Sequence, residues 1–526
     1  MANEVEKTYK DVHTWVGIVS GLFLFIAFYA GSITMFEEPL QRWATPPSAV
    51  QAPSLAETSR LLDATLAAHP EARRDYQVHL EPQPGATARV TWTVRPEVRV
   101  RGAEIRTYVS SFGPDGRLQV QRLEQSGLAE LIDMIHQRVG LPLSDAWARP
   151  LMGIVCLLYA IAIISGLIVL LPSLIKDLFI LRVGKNLKRM WLDVHNVLGV
   201  FSLPFHIVMA LTGIVFAFHD QVYFTQNYVV YENRLESLWG EEEHEPQGNR
   251  VALPPERIVQ LMAEQAPGFR VTRLNYQTDR AGALDLHVWG EDPRYQHRSP
   301  TRGFAGVDPY TGEIVERDYL PGQQPGWMSS VSSFFALHFG NYGGPPVRWL
   351  YFLLGLAGAF IFYSGNLLWI ESRRKKERKA GAVVQSRSTR LMGSLTVGVS
   401  LGCIVGISLT TAAAKWLPAI TANVAVWHWW IYYVAFFACA AWAFLRGAAR
   451  SSVELLWACA ITTFLIPASS FLAWRHETSE SALVDAVAMA GVIAFALMAR
   501  RTARRLREGR RDSIWAGPEA PAPQAG

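Results

Sequence analysis

Apolar residues fall along this chain in runs of about 20, long enough for a helix to cross roughly 30 Å of hydrocarbon. The runs predict eight membrane-spanning helices, at 14–36, 149–171, 195–218, 347–370, 391–413, 425–446, 453–474 and 482–500. Two long segments between them, 37–148 and 220–346, have another pattern. Each opens with a helix-period stretch, ETSRLLDATLAAHP at 57–70 and PERIVQLMAEQAPG at 255–268. Each then alternates with period two, in ARVTWTV and EIRTYVSSF in the first and VTRLNY and LDLHVWG in the second, as half-buried strands do. Turn residues Asp115-Gly116 and Thr311-Gly312 bound the last strands. The segments therefore predict two small α+β modules.

Charge orients the spans. Lys176, Arg182, Lys185, Lys188 and Arg189 lie between spans two and three. Arg373, Arg374, Lys375, Lys376, Arg378 and Lys379 follow span four, Arg446 and Arg450 flank spans six and seven, and Arg500, Arg501, Arg504, Arg505, Arg507, Arg510 and Arg511 follow span eight. The positive-inside rule makes these connections and both termini cytoplasmic and the two modules external, with Trp427, Trp429 and Trp430 at an outer interface. The predicted layout is a first span (1–36), module 1 (37–148), spans two and three with their loop (149–219), module 2 (220–346) and span four (347–370). A basic loop (371–390), four C-terminal spans (391–500) and a cytoplasmic tail (501–526) complete it.

Composition sharpens this. Half of the 526 residues are hydrophobic, 18 are Trp, and the formal net charge is only +5. Basic residues clustered at span ends report topology, not nucleic-acid binding. Cys156, Cys403, Cys439 and Cys459 all fall in apolar runs and read as core or lipid-facing residues, not as disulfides or a thiolate metal site. The first apolar run lacks a small-residue cleavage site and reads as a retained span.

The chain repeats itself. DVHTWVGIVS opens span one and DVHNVLGVFS opens span three; a shift of 182 superposes Asp11 on Asp193, His13 on His195, Gly17 on Gly199, Ser20 on Ser202 and Gly31 on Gly213. A shift of 199 superposes Arg149 on Arg348 and Gly166 on Gly365, with His136 and His338 upstream of spans two and four. Residues 1–370 thus read as a duplicated unit forming a four-helix bundle with pseudo-two-fold symmetry along the membrane normal.

Histidine in a span is costly without a partner, and neutral imidazole is a standard axial ligand of haem iron. Of 13 histidines, His13, His136, His195, His206, His219 and His338 lie on the duplicated unit. His13 and His195 sit at the inner ends of spans one and three and form one natural pair; His136 and His338 form an outer pair, with His219 as rival ligand. On a continuous helix His206 would share a face with His195, roughly 16 Å along, and His219 would stand roughly 36 Å along. His206, whose repeat counterpart is Leu24, is either a middle-site ligand or a supporting partner. Gly17, Gly21, Gly31, Gly199 and Gly213 either admit a flat macrocycle or let helices pack closely. His69, His79, His244, His287 and His297 read as surface residues, and His428 and His476 as interfacial ones. The fold expected is a mainly α membrane protein: a four-helix haem-binding bundle, two external α+β modules and four further helices.

The run LHFGNYGGPPVRWLYFLLGLAGAFIFYSGNLLWIESRRKK at 337–376, with DVHTWVGIVSGLFLFIAFYAGSI near the start and VDPYTGEI at 307–314, resembles the PepSY-associated transmembrane family over about residues 8–376. Members include iron-regulated membrane proteins and ferric-siderophore reductases of bacterial inner membranes. The resemblance implies PepSY-like periplasmic modules and haem b, two groups, held through His13, His195, His136, His338 and His219. It also implies reduction of a ferric siderophore in the periplasm. Shorter members lack the last four spans, for which a quinone site, a partner-docking surface and a homodimer contact are the readings.

Reduction labilises the metal because hard oxygen ligands suit Fe(III) better than Fe(II). No glycine fingerprint follows a predicted strand, so the electron donor is a separate flavin- or NAD(P)H-dependent protein, or quinol. Trp327, Tyr342 and Arg348 are candidates to meet the ferric chelate, or else interfacial anchors. The rivals are a siderophore or metal permease, and a PepSY-type sensor or regulator without redox activity.

Overall fold

The computed structural model describes residues 2–46, 57–81, 89–94, 106–123, 126–173, 187–232, 250–278, 282–297, 299, 302–381, 385–421, 423–473, 479–508 and 515. Lys176, Arg182, Lys185, His244, His476, Arg510 and Arg511 lie outside them. In chain order the helices are α1 (Ala2–Thr34), α2 (Glu37–Ala44), α3 (Thr58–Ala68), α4 (Leu128–Gln137), α5 (Asp145–Leu170), α6 (Leu187–Phe201) and α7 (Leu203–Ala217). They continue as α8 (His219–Val229), α9 (Pro255–Gln265), α10 (Gly326–Phe339), α11 (Gly344–Lys379), α12 (Arg387–Ala413), α13 (Val424–Leu472) and α14 (Ser479–Glu508). The strands are β1 (Asp75–His79), β2 (Val90–Val94), β3 (Arg106–Phe112), β4 (Leu118–Leu123), β5 (Arg270–Thr278), β6 (Leu284–Glu291), β7 (Gly303–Val307) and β8 (Ile314–Glu316).

The chain is a mainly helical multi-pass membrane protein with a separate antiparallel sheet. Two compact units divide it: a helical one (1–44, 126–218 and 349–526) and a sheet-bearing one (45–125 and 219–348). The sheet-bearing unit thus takes only 45–125 of the first predicted segment. Helices α2 and α4 belong to the helical unit, where Leu40, Trp43, Leu128, Ile132 and Ile135 are buried in its core. Short amphipathic helices pack on an apolar bundle through such a stripe, and hydropathy alone does not reveal it.

Six helices in the described residues are long and apolar enough to cross a membrane, and the pair α6 and α7 passes as one bent span. The bend, 71°, corrects the expectation of a continuous third span. Pro204 causes it: its ring lacks an N–H and clashes with the carbonyl of Val200, so the helix stops at Phe201 and restarts from Ser202. His206 consequently does not share a straight helix face with His195. His219 begins α8, beyond the end of α7, and is not the last residue of a span. Helix α13 contains both the sixth and the seventh predicted spans. At Gly447 its backbone turns to φ 74°, ψ 158°, which only glycine adopts readily. Gly398, Gly402 and Gly406 line one side of α12; a Cβ at Gly398 would stand 2.9 Å from the Cα of Ala440 on α13. That spacing lets two membrane helices approach backbone to backbone.

The sheet-bearing unit differs from two separate modules. All eight strands form one antiparallel sheet of order β4-β3-β2-β1-β5-β6-β7-β8. The halves join where β1 pairs β5, with Asp75 opposite Gln277, Tyr76 opposite Tyr276 and His79 opposite Arg273. Tyr76 and Tyr276 stack at 4.7 Å. Helices α3 and α9 contribute Leu61, Ile258 and Met262 to one core with Val78, Trp92, Leu274 and Val288 of the strands. Burying each such side chain stabilises the unit by about 1.5–3 kcal/mol.

Candidate functional site: histidines seated on glycine notches

His13 near the start of α1 and His195 on α6 come together inside the helical unit, as their repeat positions predict. Their ring centroids are 6.2 Å apart and their planes cross at 73°. Two imidazoles that bind one metal from opposite sides, each at about 2.0–2.1 Å, hold their ring centres roughly 6 Å apart.

Hydrogen bonds orient both rings. His13 Nδ1 donates to the carbonyl of Ala162 on α5 at 2.8 Å. His195 Nδ1 lies 3.2 Å from the carbonyl of Ile361 on α11 and 3.2 Å from Ser364 Oγ. A carbonyl only accepts, so Nδ1 carries the proton and Nε2 keeps the lone pair a metal needs. His136 on α4 follows the same rule, donating from Nδ1 to the carbonyl of Ala27 on α1 at 2.7 Å.

Each acceptor carbonyl lies four residues before a glycine, and the ring rests on that glycine. A Cβ at Gly166 would stand 2.8 Å from His13 Cε1, and one at Gly31 would stand 2.7 Å from His136 Nδ1. At Gly365 it would meet His195 Cε1 at 3.5 Å. Gly31 is thus occupied by a histidine and is not a macrocycle gap. Gly17 and Gly199 behave differently. Each is one helical turn from its histidine, His13 or His195, and a Cβ there would meet nothing within 4 Å. Both helices therefore leave open space one turn from the pair.

His206, on α7, is buried among aromatics: the rings of Phe28, Tyr159, Phe205 and Phe362 lie within 5.6–6.3 Å of its own. Its Nδ1 bonds the Tyr159 hydroxyl. Its Nε2 is buried with no hydrogen-bond partner among the described residues. Its counterpart Leu24 packs in the same cluster with Tyr159.

His338 and His219 belong to the sheet-bearing unit, whereas His136 belongs to the helical one. His338, on α10, has its ring against Phe339. His219 is partly exposed, with Nδ1 3.1 Å from Asp220 Oδ1 and its ring against Tyr223. Trp327 and Tyr342 are exposed in the same unit. Among the described residues no group of three or more His, Cys, Asp or Glu side chains could hold a bare metal ion. A two-histidine clamp suits a metal whose remaining ligands come from a macrocycle.

Three histidines read as surface or interfacial are buried. His79 and His297 are interior to the sheet-bearing unit and His428 to the helical one. His79 Nε2 pairs with Thr91 Oγ1 across β1 and β2 at 2.8 Å. Burial, reinforced by Arg273 and Arg302, pulls its pKa down to about 3. His297 is lowered for the same first reason. A lone histidine in a period-two segment gives no hint of which face it occupies. Next to α4, burial and the carboxylates of Asp133, Glu38 and Glu130 raise Glu37 to about 6.

The sequence reading missed Tyr159, Ser364 and the acceptor carbonyls. Gly166 and Gly365 carried the signal, because a glycine repeated in both copies marks a close approach. The four cysteines are free and buried, as expected.

The family described as the PepSY-associated TM region matches residues 11–372. No curated protein matches the chain.

Proposed function

The chain belongs to the PepSY-associated transmembrane family, and on that premise we propose that it is a haem-dependent reductase of ferric siderophores in the bacterial inner membrane. The observation that carries this reading is the His13–His195 pair, 6.2 Å between ring centroids, with both Nδ1 atoms engaged by backbone carbonyls. Bound between them, haem b would supply a one-electron Fe(III)/Fe(II) couple. The chain's own share is positional. Ala162, Ile361 and Ser364 hold the imidazoles in the Nδ1–H tautomer and raise the basicity of Nε2. Gly17 and Gly199 leave room alongside.

Positive ends of α11 (Arg373 to Lys379) and of α14 (Arg500 to Arg507) support a cytoplasmic location for that side. His13 and His195 then lie near the cytoplasmic ends of their helices, where a flavin- or NAD(P)H-dependent protein, or quinol, delivers electrons. His206 and its aromatic surround lie further along the bundle, and His136 serves the outer side. A permease needs a polar path through the bundle; Phe28, Phe205 and Phe362 around His206 argue against one.

The test is spectroscopic. Purified protein from haem-replete cells is expected to show a Soret band and bis-histidine low-spin signature, to be reduced by dithionite and to be reoxidised by a ferric siderophore. A folded, haem-free preparation that still reduces the chelate would sink the proposal. Reoxidation by oxygen but never by ferric chelate would leave a cytochrome without this substrate.

A further inference from the structure

A cavity of about 1840 Å³ opens inside the helical unit, away from the histidine pair, between helices of the duplicated region and the four C-terminal spans. Small-molecule pockets occupy roughly 300–1,000 Å³, so this one suits a longer guest. Its shaft is apolar, walled by Phe25, Leu356 and Phe360 on one side and by Ile404, Val487 and Ala494 on the other. One end is basic, where the start of α6 and the ends of α11 and α14 bring Lys188, Arg189, Arg374, Lys375, Arg501 and Arg505 together.

Two of these cations are matched: Arg189 by Asp193 at 3.4 Å and Arg374 by Glu371 at 3.0 Å. Lys188, Lys375, Arg501 and Arg505 have no ion pair among the described residues. The wall also presents Ser400 Oγ, which is buried and has no hydrogen-bond partner among the described residues. A cluster of like charges beside an apolar shaft is repulsive unless a guest brings negative charge on an apolar tail. A quinone has the tail without the charge. A soluble anion has the charge without the tail.

We propose that this cavity is a binding site for an anionic diacyl phospholipid, with the headgroup phosphate at the Lys188–Lys375–Arg501–Arg505 end and the acyl chains in the shaft. Basic pockets between membrane helices on the cytoplasmic side recognise such headgroups through phosphate contacts. The site gives the extra four spans a role: they supply the far wall and two of the four unmatched cations. This inference stands independently of haem binding.

The experiment is lipid extraction and mass spectrometry of the full chain purified in mild detergent, with haem per polypeptide read on the same sample. Phosphatidylglycerol is expected to co-purify in stoichiometric amount. The double variant R501Q/R505Q should lose most of it with haem content unchanged. A second variant, Ala494→Trp, fills the shaft and should exclude the lipid while leaving the cations in place. In nanodiscs, phosphatidylglycerol should raise the Tm of the wild type relative to phosphatidylcholine, and that difference should shrink in both variants. Retention of only zwitterionic lipid, retention of quinone, retention of nothing, or phosphatidylglycerol retained equally by the variants would each overturn the proposal. Haem loss with lipid retained would count against the haem reading alone.

Discussion

In the duplicated half of the helical unit, His13 and His195 each commit one ring nitrogen to a carbonyl of a facing helix and keep the other for something else. Among the C-terminal helices one set of polar groups, joined by Trp43 of α2, bonds within itself. Lys415 Nζ lies 3.1 Å from Ser470 Oγ and over the Trp43 ring, and Ser470 Oγ donates to Asp485 at 2.9 Å. Trp43 Nε1 completes the set, 3.0 Å from Ser470 and 3.1 Å from Asp485. Polar groups among membrane helices are expensive, and a closed network is the structural solution. An oriented lone pair left over is the functional one. The contrast separates glue from site without reference to which residues are polar.

Removing either imidazole tests the contrast at its strongest. His13→Ala or His195→Ala is expected to remove the haem held between them and so lower haem per polypeptide in the purified protein. If both variants keep full haem content, the pair is glue after all. Breaking the closed network should do the opposite: Asp485→Ala removes the acceptor shared by Trp43 Nε1 and Ser470 Oγ, a loss of about 1–3 kcal/mol. Thermal unfolding should register it while the haem spectrum of the surviving protein stays unchanged.

The glycine notches sharpen the comparison further. Gly166→Ala drives a methyl to 2.8 Å from His13 and should cost about 1–3 kcal/mol as overpacking, together with part of the haem. Gly365→Ala, with 3.5 Å to His195, should have the smaller effect on both. The reverse ranking would show that the rings are not seated as described.

The effect most remote from the histidine pair concerns the sheet. His79 has its pKa pulled down to about 3 by burial first and by Arg273 and Arg302 next. Between its unfolded value near 6.5 and about 3, the unfolded chain holds a proton that the folded chain lacks. Stability is therefore at its plateau above that window and falls with decreasing pH by up to about 1.4 kcal/mol per pH unit. The opening free energy from amide exchange at Tyr76–His79, taken relative to the intrinsic rate at each pH, should fall below pH 6.5, and His79→Gln should flatten the dependence.

Much of this was legible because the physics that writes it is local. An apolar run of span length has few soluble uses, and His13 met its repeat counterpart His195, whereas the other repeated pair, His136 and His338, falls in different units. What escaped depends on distant residues. Pro204 was a visible signal for the broken third span, but the apolar run around it overrode the proline. The seating of His136 on Gly31 links residues about a hundred positions apart, and nothing local in either marks the other. The single sheet escaped for the same reason: the period-two pattern of β1 fits an edge strand as well as a central one until β5 lies beside it.

That central seam has a consequence for the origin and engineering of the chain. In an isolated copy of the repeat, β1 or β5 would be a bare edge, a ready template for pairing with a second copy. Antiparallel pairing of the equivalent strand in each copy is the contact a symmetric two-chain ancestor would make, later tied by the connection now between α5 and α6. Cutting the chain in that connection and co-expressing the pieces should give fragments that find each other through Asp75–His79 and Arg273–Gln277. Either fragment alone should aggregate.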